Sequence, residues 1–545
     1  MTALATASPV ATTVRRGPRS ALHGTGLMLG TQLRAARWQL LAWPAAMAIL
    51  VAAIARGQAA LYPTEQQRMM YDATLGDSPV SWALNGRGYE LTTLGGITAY
   101  EVGFMGLLVF PIVGLHLAIR LTRHEEEAGR TELLTAGRVG RLAPLAGAVL
   151  ALTLAMSGLV ALTAAGLVAV GYPVGGSLRY AALLGVFTGA FAAFGLLAAE
   201  LSQAGRTAYL LGVGTVLALF LLRATIDGRR ASVLWPSPMN WPAEARPWGP
   251  QWRLWPYLAC LGAALVLTAL AFAVAARRDL YAGLLATRPG RTTARAGLGT
   301  PLGLAWRLTR GGALGWVAGM ALWGAALGSL SQEMADIVAD NPAMAAVFGQ
   351  GRPEDLLIAM SCLLAAIAGA AVLIVGMGHL GDEEDAGRFG LLTATRLRRT
   401  RWWSTWWLVV TVESLAVQAA AGISLGLATA QTTGHDGAVT TALRAAGELA
   451  VPVLAIGAFA AAVRALAPAA SWLVWVLLGW STIVGLFATV LRIPQWAQAI
   501  SPFELVGNVP LETASRAALW GLAAAAAVLF AASVAGIARR DLRAG

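Results

Sequence analysis

Residues 142–170 read LAPLAGAVLALTLAMSGLVALTAAGLVAV and contain no charged side chain. A helix needs about 20 apolar residues to cross the hydrocarbon core of a bilayer, so this stretch is long enough to span a membrane even when tilted. Stretches of the same kind recur along the chain, separated by short charged segments. This arrangement predicts an all-α polytopic membrane protein.

The composition of the 545 residues agrees with this interpretation. Of all residues, 57% are hydrophobic and 12% are charged, whereas soluble proteins carry roughly 25% charged residues. So few charges cannot cover the surfaces of several soluble domains, which excludes a secreted globular enzyme, a nucleic-acid-binding protein and a disordered scaffold. The net charge of +12 is explained by arginines that collect in the cytoplasmic loops of membrane proteins.

Twelve apolar stretches qualify as spanning helices, and we number them as spans 1 to 12. In chain order they cover residues 38–56, 99–121, 142–170, 178–199, 208–222, 256–276, 312–332, 357–379, 405–430, 446–464, 471–491 and 517–538. The polar residues Glu200 and His379 fall at the ends of spans 4 and 8, where we expect them to be solvated. Cys260 and Cys362 lie within apolar stretches, which predicts two inert thiols and no disulfide.

The sidedness of the chain follows from its arginines, because cytoplasmic loops carry the excess of positive charge. With the N-terminus in the cytoplasm, 27 of the 40 arginines lie on the cytoplasmic side. We therefore expect a multi-pass protein of a bacterial plasma (inner) membrane with both termini in the cytoplasm. The segment 223–255 carries arginines on the outer side, but its Trp and Pro residues favour the outer membrane–water interface.

All 40 basic residues are arginines, and the sequence contains no lysine. A nucleotide-binding P-loop needs a lysine that reaches the β- and γ-phosphates. The chain therefore cannot hydrolyse ATP through a P-loop of its own. The missing lysines also indicate a GC-rich genome.

The charged loop before span 3 occurs twice in the sequence. HEEEAGRTELLTAGRVGR at 124–141 aligns without gaps on DEEDAGRFGLLTATRLRR at 382–399, with eleven identical positions of eighteen. A second motif closes each half, since ARRDLYAG at 276–283 matches ARRDLRAG at 538–545. These repeats predict two six-span units fused head to tail.

Because six is even, both units enter the membrane from the same side, and their pseudo-two-fold axis runs along the membrane normal. The chain is predicted to begin with a cytoplasmic tail and interfacial helix (1–37), followed by a first unit (38–280), a cytoplasmic linker (281–305) and a second unit (306–545). The first unit has a cytoplasmic loop at 122–141 and an outer loop at 223–255. The second unit has a cytoplasmic loop at 381–401 and an outer loop at 492–516. We call segments 122–141 and 381–401 the first and second duplicated loops.

Each duplicated loop has acids at one end, arginines at the other and a leucine pair between them. The sequence predicts a short amphipathic helix with its acids in the first turn, where Glu126 pairs with Arg130 and Glu384 with Arg388 at i,i+4 spacing. A solvated loop that only sets topology needs the arginines but neither the acids nor the leucines. A docking surface for a cytoplasmic partner explains all three. The residues assigned to it are Glu125, Glu126, Glu127, Arg130, Leu133, Leu134 and Arg138 in the first loop, and Glu383, Glu384, Asp385, Arg388, Leu391, Leu392 and Arg396 in the second.

The pattern E-E-x-A-G-R-x-x-L-L-x-A-x-x-x-x-R in both loops resembles the permease subunits of ABC-2 type exporters, in particular the actinobacterial tetronasin and polyketide-antibiotic exporter permeases. The resemblance covers essentially the whole chain, including the repeated A-R-R-D-L-x-A-G endings and the Ser237-Pro238 and Ser501-Pro502 turns. It implies efflux of hydrophobic or amphipathic drugs and coupling helices in the duplicated loops. It also implies two copies of a separate soluble ATPase, which bind ATP and Mg²⁺, so that this chain holds no cofactor and is not itself an enzyme.

The second loop departs from the first, because Phe389 and Gly390 replace Thr131 and Glu132. We therefore expect the two docking sites to differ.

Two other functions stay open at this point. A proton-coupled major facilitator transporter also has six plus six spans, and Gly381-Asp382 resembles its cytoplasmic motif, although Arg123-His124 stands at the first position. A membrane glycosyltransferase could use acids of the outer segment 57–98, but no pair of them has a recognisable spacing. An ATPase encoded next to this chain, or dependence on a proton gradient, discriminates between the two transporter classes.

The resemblance implies a substrate path between the units, lined by spans 1, 2 and 5 and by spans 7, 8 and 11. Helical spacing places one candidate stripe on span 2 and another on span 8, although a stripe of packing residues has the same pattern. Glu413, deep in span 9, needs either a buried partner or a cavity wall. The candidate lining residues are Glu101, Phe104, Met105 and Leu108 on span 2, Met360, Leu363, Leu364 and Ile367 on span 8, and Glu413. The expected partners are thus the ATPase, membrane lipid and a hydrophobic small molecule, with no nucleic acid.

Overall fold

The computed structural model confirms the all-α polytopic fold. It describes residues 20–76, 79–137, 139–229, 236–278, 283, 292–293, 297–339, 352–385, 387–388, 397–488 and 491–540, and no β-strand occurs within these ranges. Twelve of the described helices are long and apolar enough to cross a membrane. We number them α1 (Arg37–Leu61), α2 (Leu94–Leu121), α3 (Ala143–Val170), α4 (Val174–Leu201), α5 (Gly205–Gly228), α6 (Trp255–Ala275), α7 (Pro301–Gly328), α8 (Glu354–Asp385), α9 (Arg399–Thr433), α10 (Ala438–Leu466), α11 (Trp472–Phe487) and α12 (Arg516–Arg539).

All twelve predicted spans correspond to these helices, and most of the helices are longer than the spans. The span at 208–222, for example, belongs to a helix that covers Gly205–Gly228. The apolar stretch marks only the part of a helix that matches the hydrocarbon core, whereas the backbone hydrogen bonds continue through polar residues at its ends. Cys260 and Cys362 are free and buried, as expected.

The chain divides into two compact units, Met1–Arg288 and Pro289–Gly545. In the first unit, α4 packs against α2, α3 and α6, and α1 packs against α3. In the second unit, the corresponding helix α10 packs against α8, α9 and α12, and α7 packs against α9. The duplication in the sequence is therefore also a duplication of helix packing.

Small residues bring α2 and α4 close together near the middle of the first unit. A Cβ atom added to Gly195 would lie 2.9 Å from the Cβ of Ala118, and one added to Gly114 would lie 2.7 Å from the carbonyl oxygen of Thr188. Glycines at such crossings allow the backbones of membrane helices to approach closely. This contact fixes the end of α2 from which the first duplicated loop emerges.

A helix that precedes α1, Thr25–Ala35, lies against α3 beside the first duplicated loop. Its Gln32 side chain donates from Nε2 to the carbonyls of Leu121 and Pro144, at 3.2 and 3.0 Å. These two carbonyls stand at the beginning and the end of the loop. The N-terminal helix thus joins both ends of the loop.

Candidate functional site

Each duplicated loop begins as a continuation of a spanning helix. In the first unit α2 is followed at once by a one-turn helix, Arg123–Glu127, and in the second unit Glu383 and Glu384 belong to the last turn of α8. The prediction that the acids occupy the first turn of a separate helix therefore holds for Glu125 and Glu126 and is wrong for the second unit. Glu383 and Glu384 lie at a helix C-terminus, where the helix dipole disfavours negative charge, and so they require cationic partners.

A glycine in the left-handed conformation follows the acids in both units. Gly129 has a φ of 72° and Gly387 a φ of 71°, a backbone conformation that glycine adopts at no steric cost. In the first unit a second short helix, Arg130–Thr135, begins directly after this turn. The turn therefore decides which acid the following arginine reaches.

That arginine bonds to the first acid of each cluster. Arg130 donates from Nε and Nη2 to the two carboxylate oxygens of Glu125, at 2.5 and 2.8 Å. Arg388 makes the same two bonds to Glu383, both at 2.8 Å. The i,i+4 pairs predicted for these arginines are wrong, because the glycine turn interrupts the helical spacing on which they depended. Hydrogen bonding to the carboxylates raises the pKa of both Arg130 and Arg388.

Glu126, the next acid in the first unit, is turned inward and only 4% exposed. Arg278, which lies just after α6, donates from Nη1 and Nη2 to its carboxylate oxygens at 2.9 and 2.8 Å. The Nε of Arg278 donates to Glu200, near the end of α4. Burial alone would lower the pKa of Arg278, but the bonds to these two carboxylates outweigh it and raise the pKa. We call Glu126, Arg278 and Glu200 the first latch.

The second unit repeats the bond between the acidic loop and the last helix. Arg540, directly after α12, donates to both carboxylate oxygens of Glu384. Its Nη1 also donates to the backbone carbonyl of Arg464 at 3.0 Å, near the end of α10. Since α10 corresponds to α4, a backbone carbonyl stands here in the place of the Glu200 carboxylate. We call Glu384 and Arg540 the second latch.

The two latches connect the two duplicated motifs of each unit, the acidic loop and the A-R-R ending. Removing an ion pair of this kind from water is favourable only when its geometry and hydrogen bonding are good. Arg278 donates to Glu126 from two nitrogens, and Arg540 donates to both carboxylate oxygens of Glu384. Each latch therefore fixes its loop to the last helix of the same unit. A displacement of the loop would be transmitted to α6 or α12.

The sequence shows the A-R-R endings as a repeat without indicating their role, and it predicts a solvated Glu200. Glu200 is in fact buried and bonded to Arg278. The signal that could have identified the latches was that an acidic motif and a basic motif are duplicated together, in the same order, in one chain.

The other residues assigned to the docking surface have separate roles or positions. Glu127 accepts a hydrogen bond from the backbone N–H of Gly205 at 2.8 Å, so its carboxylate lies at the N-terminus of α5, where the helix dipole favours it. Leu133 is 79% exposed and Leu134 partly exposed, which places an apolar spot on the surface. Asp385 ends α8. Arg138, Leu391, Leu392 and Arg396 lie outside the described residues.

The two stripes predicted to line a substrate path are partly exposed in both units. On α2, Glu101 accepts a hydrogen bond from the Tyr71 hydroxyl, and the Phe104 ring stands edge-on to Phe220 with centroids 6.0 Å apart. Their neighbour Val102 is buried, so the stripe does not belong to the tightly packed part of the first unit. The assignment of Glu101, Phe104, Met105, Leu108, Met360, Leu363, Leu364 and Ile367 to a substrate path stays a prediction.

Glu413 has a buried partner. It is 3% exposed, and it accepts a hydrogen bond of 2.6 Å from the Thr309 hydroxyl of α7. Polar bonds of this kind are common between membrane helices. The bond joins α7 and α9, which form an extensive contact in the second unit.

Comparison with known proteins places this architecture in a family. Residues 298–537 match the family described as the C-terminal domain of the multidrug efflux system permease Rv1217c. The chain is also 31% identical over 531 residues to the multidrug efflux system permease protein Rv1217c of Mycobacterium tuberculosis (strain ATCC 25618 / H37Rv), and the alignment covers 96% of each protein. An alignment that covers 96% of the chain extends over both six-helix units. The chain therefore belongs to the family of the multidrug efflux system permease Rv1217c.

Proposed function

We propose that this chain is the membrane-spanning permease of an ATP-driven, ABC-type exporter that moves hydrophobic or amphipathic drugs out of the cell. Its family membership supports a permease with a role in drug efflux. The sequence resemblance to ABC-2 permeases of the tetronasin type supports the ATP-driven class. Because the sequence contains no lysine, a P-loop ATPase would have to be a separate subunit, and it would supply the ATP and Mg²⁺ sites.

The observation that carries the proposal is the repeated link between loop and last helix. Glu126 with Arg278, and Glu384 with Arg540, form the same connection in both units. A loop that served only to set topology would need exposed arginines but no buried bond to a distant helix. Two equivalent links fit two docked ATPase subunits, one for each duplicated loop, on the cytoplasmic side.

In this mechanism the exposed face of each loop receives the ATPase and the buried face transmits its movement. Leu133 and the ion pair of Arg130 with Glu125 lie at the surface of the first loop, where a partner protein can cover them. The latch lies beneath them and holds the end of α6. ATP-driven movement of the ATPase would then shift α6 or α12 together with the loop and open the substrate path.

The test is reconstitution of the full chain with and without a soluble ATPase encoded beside it. The chain alone should show no ATP turnover, and the complex should contain two ATPase copies and respond to drugs. Replacing Leu133 and Leu134 by Asp should remove the copy at the first loop, and adding Leu392→Asp should weaken the second. A buried apolar anchor at an interface is worth about 2 kcal/mol or more, so the loss should be at least tenfold in affinity. His124→Gln, at an exposed position of the same loop, is the matched control and should leave docking intact.

Three outcomes would overturn the proposal. They are ATP turnover by the chain alone, a single ATPase copy per chain, and wild-type transport by the variant altered in both loops. Transport that follows a proton gradient and needs no ATPase would instead support the major facilitator alternative.

A further inference from the structure

The first unit contains a cavity at the end opposite its duplicated loop, which we call its distal end. Its deep walls are apolar and come from α2 and α4, with Leu107, Leu183 and Phe187 among them. All the lining residues belong to the first unit. The cavity lies on a different face of α2 from the predicted stripe, and none of the stripe residues lines it.

A buried charged cluster forms one side of this cavity near the distal end of α5. Arg223 is fully buried and donates from Nη2 to the carbonyls of Ala83 and Leu84, at 2.7 and 2.9 Å. It also lies 3.5 Å from the carboxylate of Asp227. Asp227 is further paired with Arg87 at 3.2 Å. Two arginines therefore face one aspartate, and the cluster carries one excess positive charge.

The rim of the cavity has a strained backbone at two positions. Glu90 has a φ of 61° and Arg246 a φ of 47°, a left-handed conformation that residues other than glycine rarely adopt. Glu90 accepts a hydrogen bond from the backbone N–H of Trp248 at 3.1 Å, and the guanidinium of Arg246 lies 4.0 Å from the centre of the Tyr89 ring. Strained residues cluster at binding and active sites. The charges of Glu90 and Arg246 cancel, so the excess positive charge of the inner cluster remains.

Hydrogen-bond donors outnumber acceptors among the unused groups of the cavity wall. The Nε of Arg223, the Nε of Arg246 and the indole N–H of Trp248 are buried and have no hydrogen-bond partner in the part of the chain that the structure describes. The side-chain oxygen of Asn240 is in the same position, while its amide nitrogen donates to Asp227. Buried donors without partners are costly. A ligand with an acceptor-rich group would satisfy them.

We propose that this cavity binds an amphipathic anion, with its apolar body between α2 and α4 and its carboxylate or phosphate head against Arg223, Arg246 and Trp248. The apolar walls select the body, and the excess charge and unused donors select the head. The same chemistry is offered by a free organic anion and by an anionic membrane lipid. The proposal goes beyond drug export and requires no ATPase.

The residues that line the site all lie in the first unit. With the Ser237-Pro238 and Ser501-Pro502 turns in register, Phe487 and Leu491 stand at the positions of Arg223 and Asp227. In this register the two positions carry no ion pair in the second unit.

The test uses the full chain in nanodiscs of zwitterionic lipid, with no ATPase present, and a photoreactive dodecanoate that carries a diazirine in its alkyl chain. Labelling should be saturable and should map to α2 and α4 near Leu107 and Phe187. Probes with the same chain but a trimethylammonium or a hydroxyl head should label this site about tenfold less, which corresponds to about 1.4 kcal/mol. Arg246→Gln and Trp248→Phe should each weaken labelling. Arg229→Gln, which removes an exposed arginine from the same end of α5, is the matched control and should not.

Equal labelling by the three head groups, labelling that maps elsewhere, or wild-type labelling of both Arg246→Gln and Trp248→Phe would overturn the proposal. Nanodiscs with added phosphatidylglycerol then identify the source of the anion. Suppressed labelling means that a lipid occupies the cavity, whereas persistent labelling means that a free anion does, and both support the site. Because the ATPase is absent, failure of the export mechanism leaves this measurement unaffected.

Discussion

In the first unit Arg278 bonds to the carboxylates of Glu126 and Glu200, whereas in the second unit Arg540 bonds to Glu384 and to a backbone carbonyl. Both units keep the bond between the acidic loop and the last helix. They differ in the second acceptor, which is charged in one unit and neutral in the other. They also differ in Arg123, which lies 3.1 Å from Glu126 in the first unit and has Gly381 at its position in the second. The comparison separates the part of the latch that both units share from an addition that only the first unit has.

The distal ends of the units differ much more. The first unit buries Arg223 with Asp227 in a cavity wall, and the second unit has Phe487 and Leu491 at these positions. Burying charge within a membrane protein is expensive, and such residues usually mark function. The two units are therefore alike where the loops emerge and different where a ligand could enter.

The largest effect is expected from removing the arginine of a latch. Arg278→Ala would leave the buried Glu200 carboxylate without an ion-pair partner and Glu126 with Arg123 alone, and it should destabilise the first unit by about 3 to 5 kcal/mol. Arg540→Ala leaves one carboxylate, that of Glu384, without its arginine partner. The Arg540 side chain is 19% exposed, compared with 9% for Arg278. This second change should cost roughly 1 to 3 kcal/mol. Thermal unfolding of the purified chain measures both.

The neighbouring arginines provide matched controls for this pair of substitutions. Arg277 and Arg539 directly precede the latch arginines and are exposed, so Arg277→Ala and Arg539→Ala should leave the unfolding temperature unchanged. Equal losses for Arg278→Ala and Arg540→Ala would contradict the difference between the latches.

A smaller effect is expected when the first latch is converted to resemble the second. Glu200→Gln keeps an oxygen acceptor for the Nε of Arg278 but removes its charge, which should lower stability by about 1 to 2 kcal/mol. In the Glu200→Gln background, Arg278→Ala should then cost about as little as Arg540→Ala does. This double-mutant cycle measures the coupling of the two residues, and a coupling of zero would mean that Glu200 is not part of the latch.

The sequence predicted the spans, the duplication and the existence of a special loop, because each depends on local composition or on similarity within the chain. It failed on the partners of the acids. The i,i+4 rule assumes a continuous helix, but Gly129 and Gly387 interrupt the helix. Arg130 and Arg388 therefore bond to Glu125 and Glu383, each one position before the acid that the rule predicts. Arg278 lies 152 positions from Glu126, and only the packing of α6 against α4 brings it near.

The distal cavity was missed for a similar reason. Arg223, Asp227 and Arg87 are isolated charges in the sequence, and 140 positions separate Arg87 from Asp227. Arg223 is the first residue of the segment 223–255, which the sequence assigns to an outer loop. Its burial depends on the carbonyls of a segment far away in the chain.

The stripes on α2 and α8 that are predicted to line a substrate path are partly exposed to a similar degree in both units. If they line one substrate path, Phe104→Trp and Met360→Trp should change resistance to individual drugs by up to roughly tenfold. Flexible thioethers and aromatic faces adapt to varied ligands, so the pattern of drugs should shift while docking of the ATPase is unchanged. Resistance profiles of cells that express each variant provide the measurement. Unchanged profiles at normal levels of membrane insertion would make the stripes packing surfaces.

The smallest effect is a dependence of stability on pH that arises at the distal end of the first unit. Burial raises the pKa of Glu90, and the hydrogen bond from the Trp248 N–H offsets this only in part. The folded protein therefore holds this proton more tightly than the unfolded chain, so the contribution of Glu90 to stability is fully present below the unfolded pKa and is lost as the pH rises through the folded pKa. Glu90→Gln should remove this part of the slope, which begins at the usual pKa of a glutamate, about 4.3, and extends to higher pH. Unfolding temperatures of the wild type and of Glu90→Gln across this range give the difference, and Glu65→Gln, at an exposed position of the same unit, gives the background for losing one carboxylate. If the wild type instead gains stability relative to Glu90→Gln as the pH rises, the sign of the prediction is wrong. Glu90 would then be stabilised as a carboxylate by Arg246.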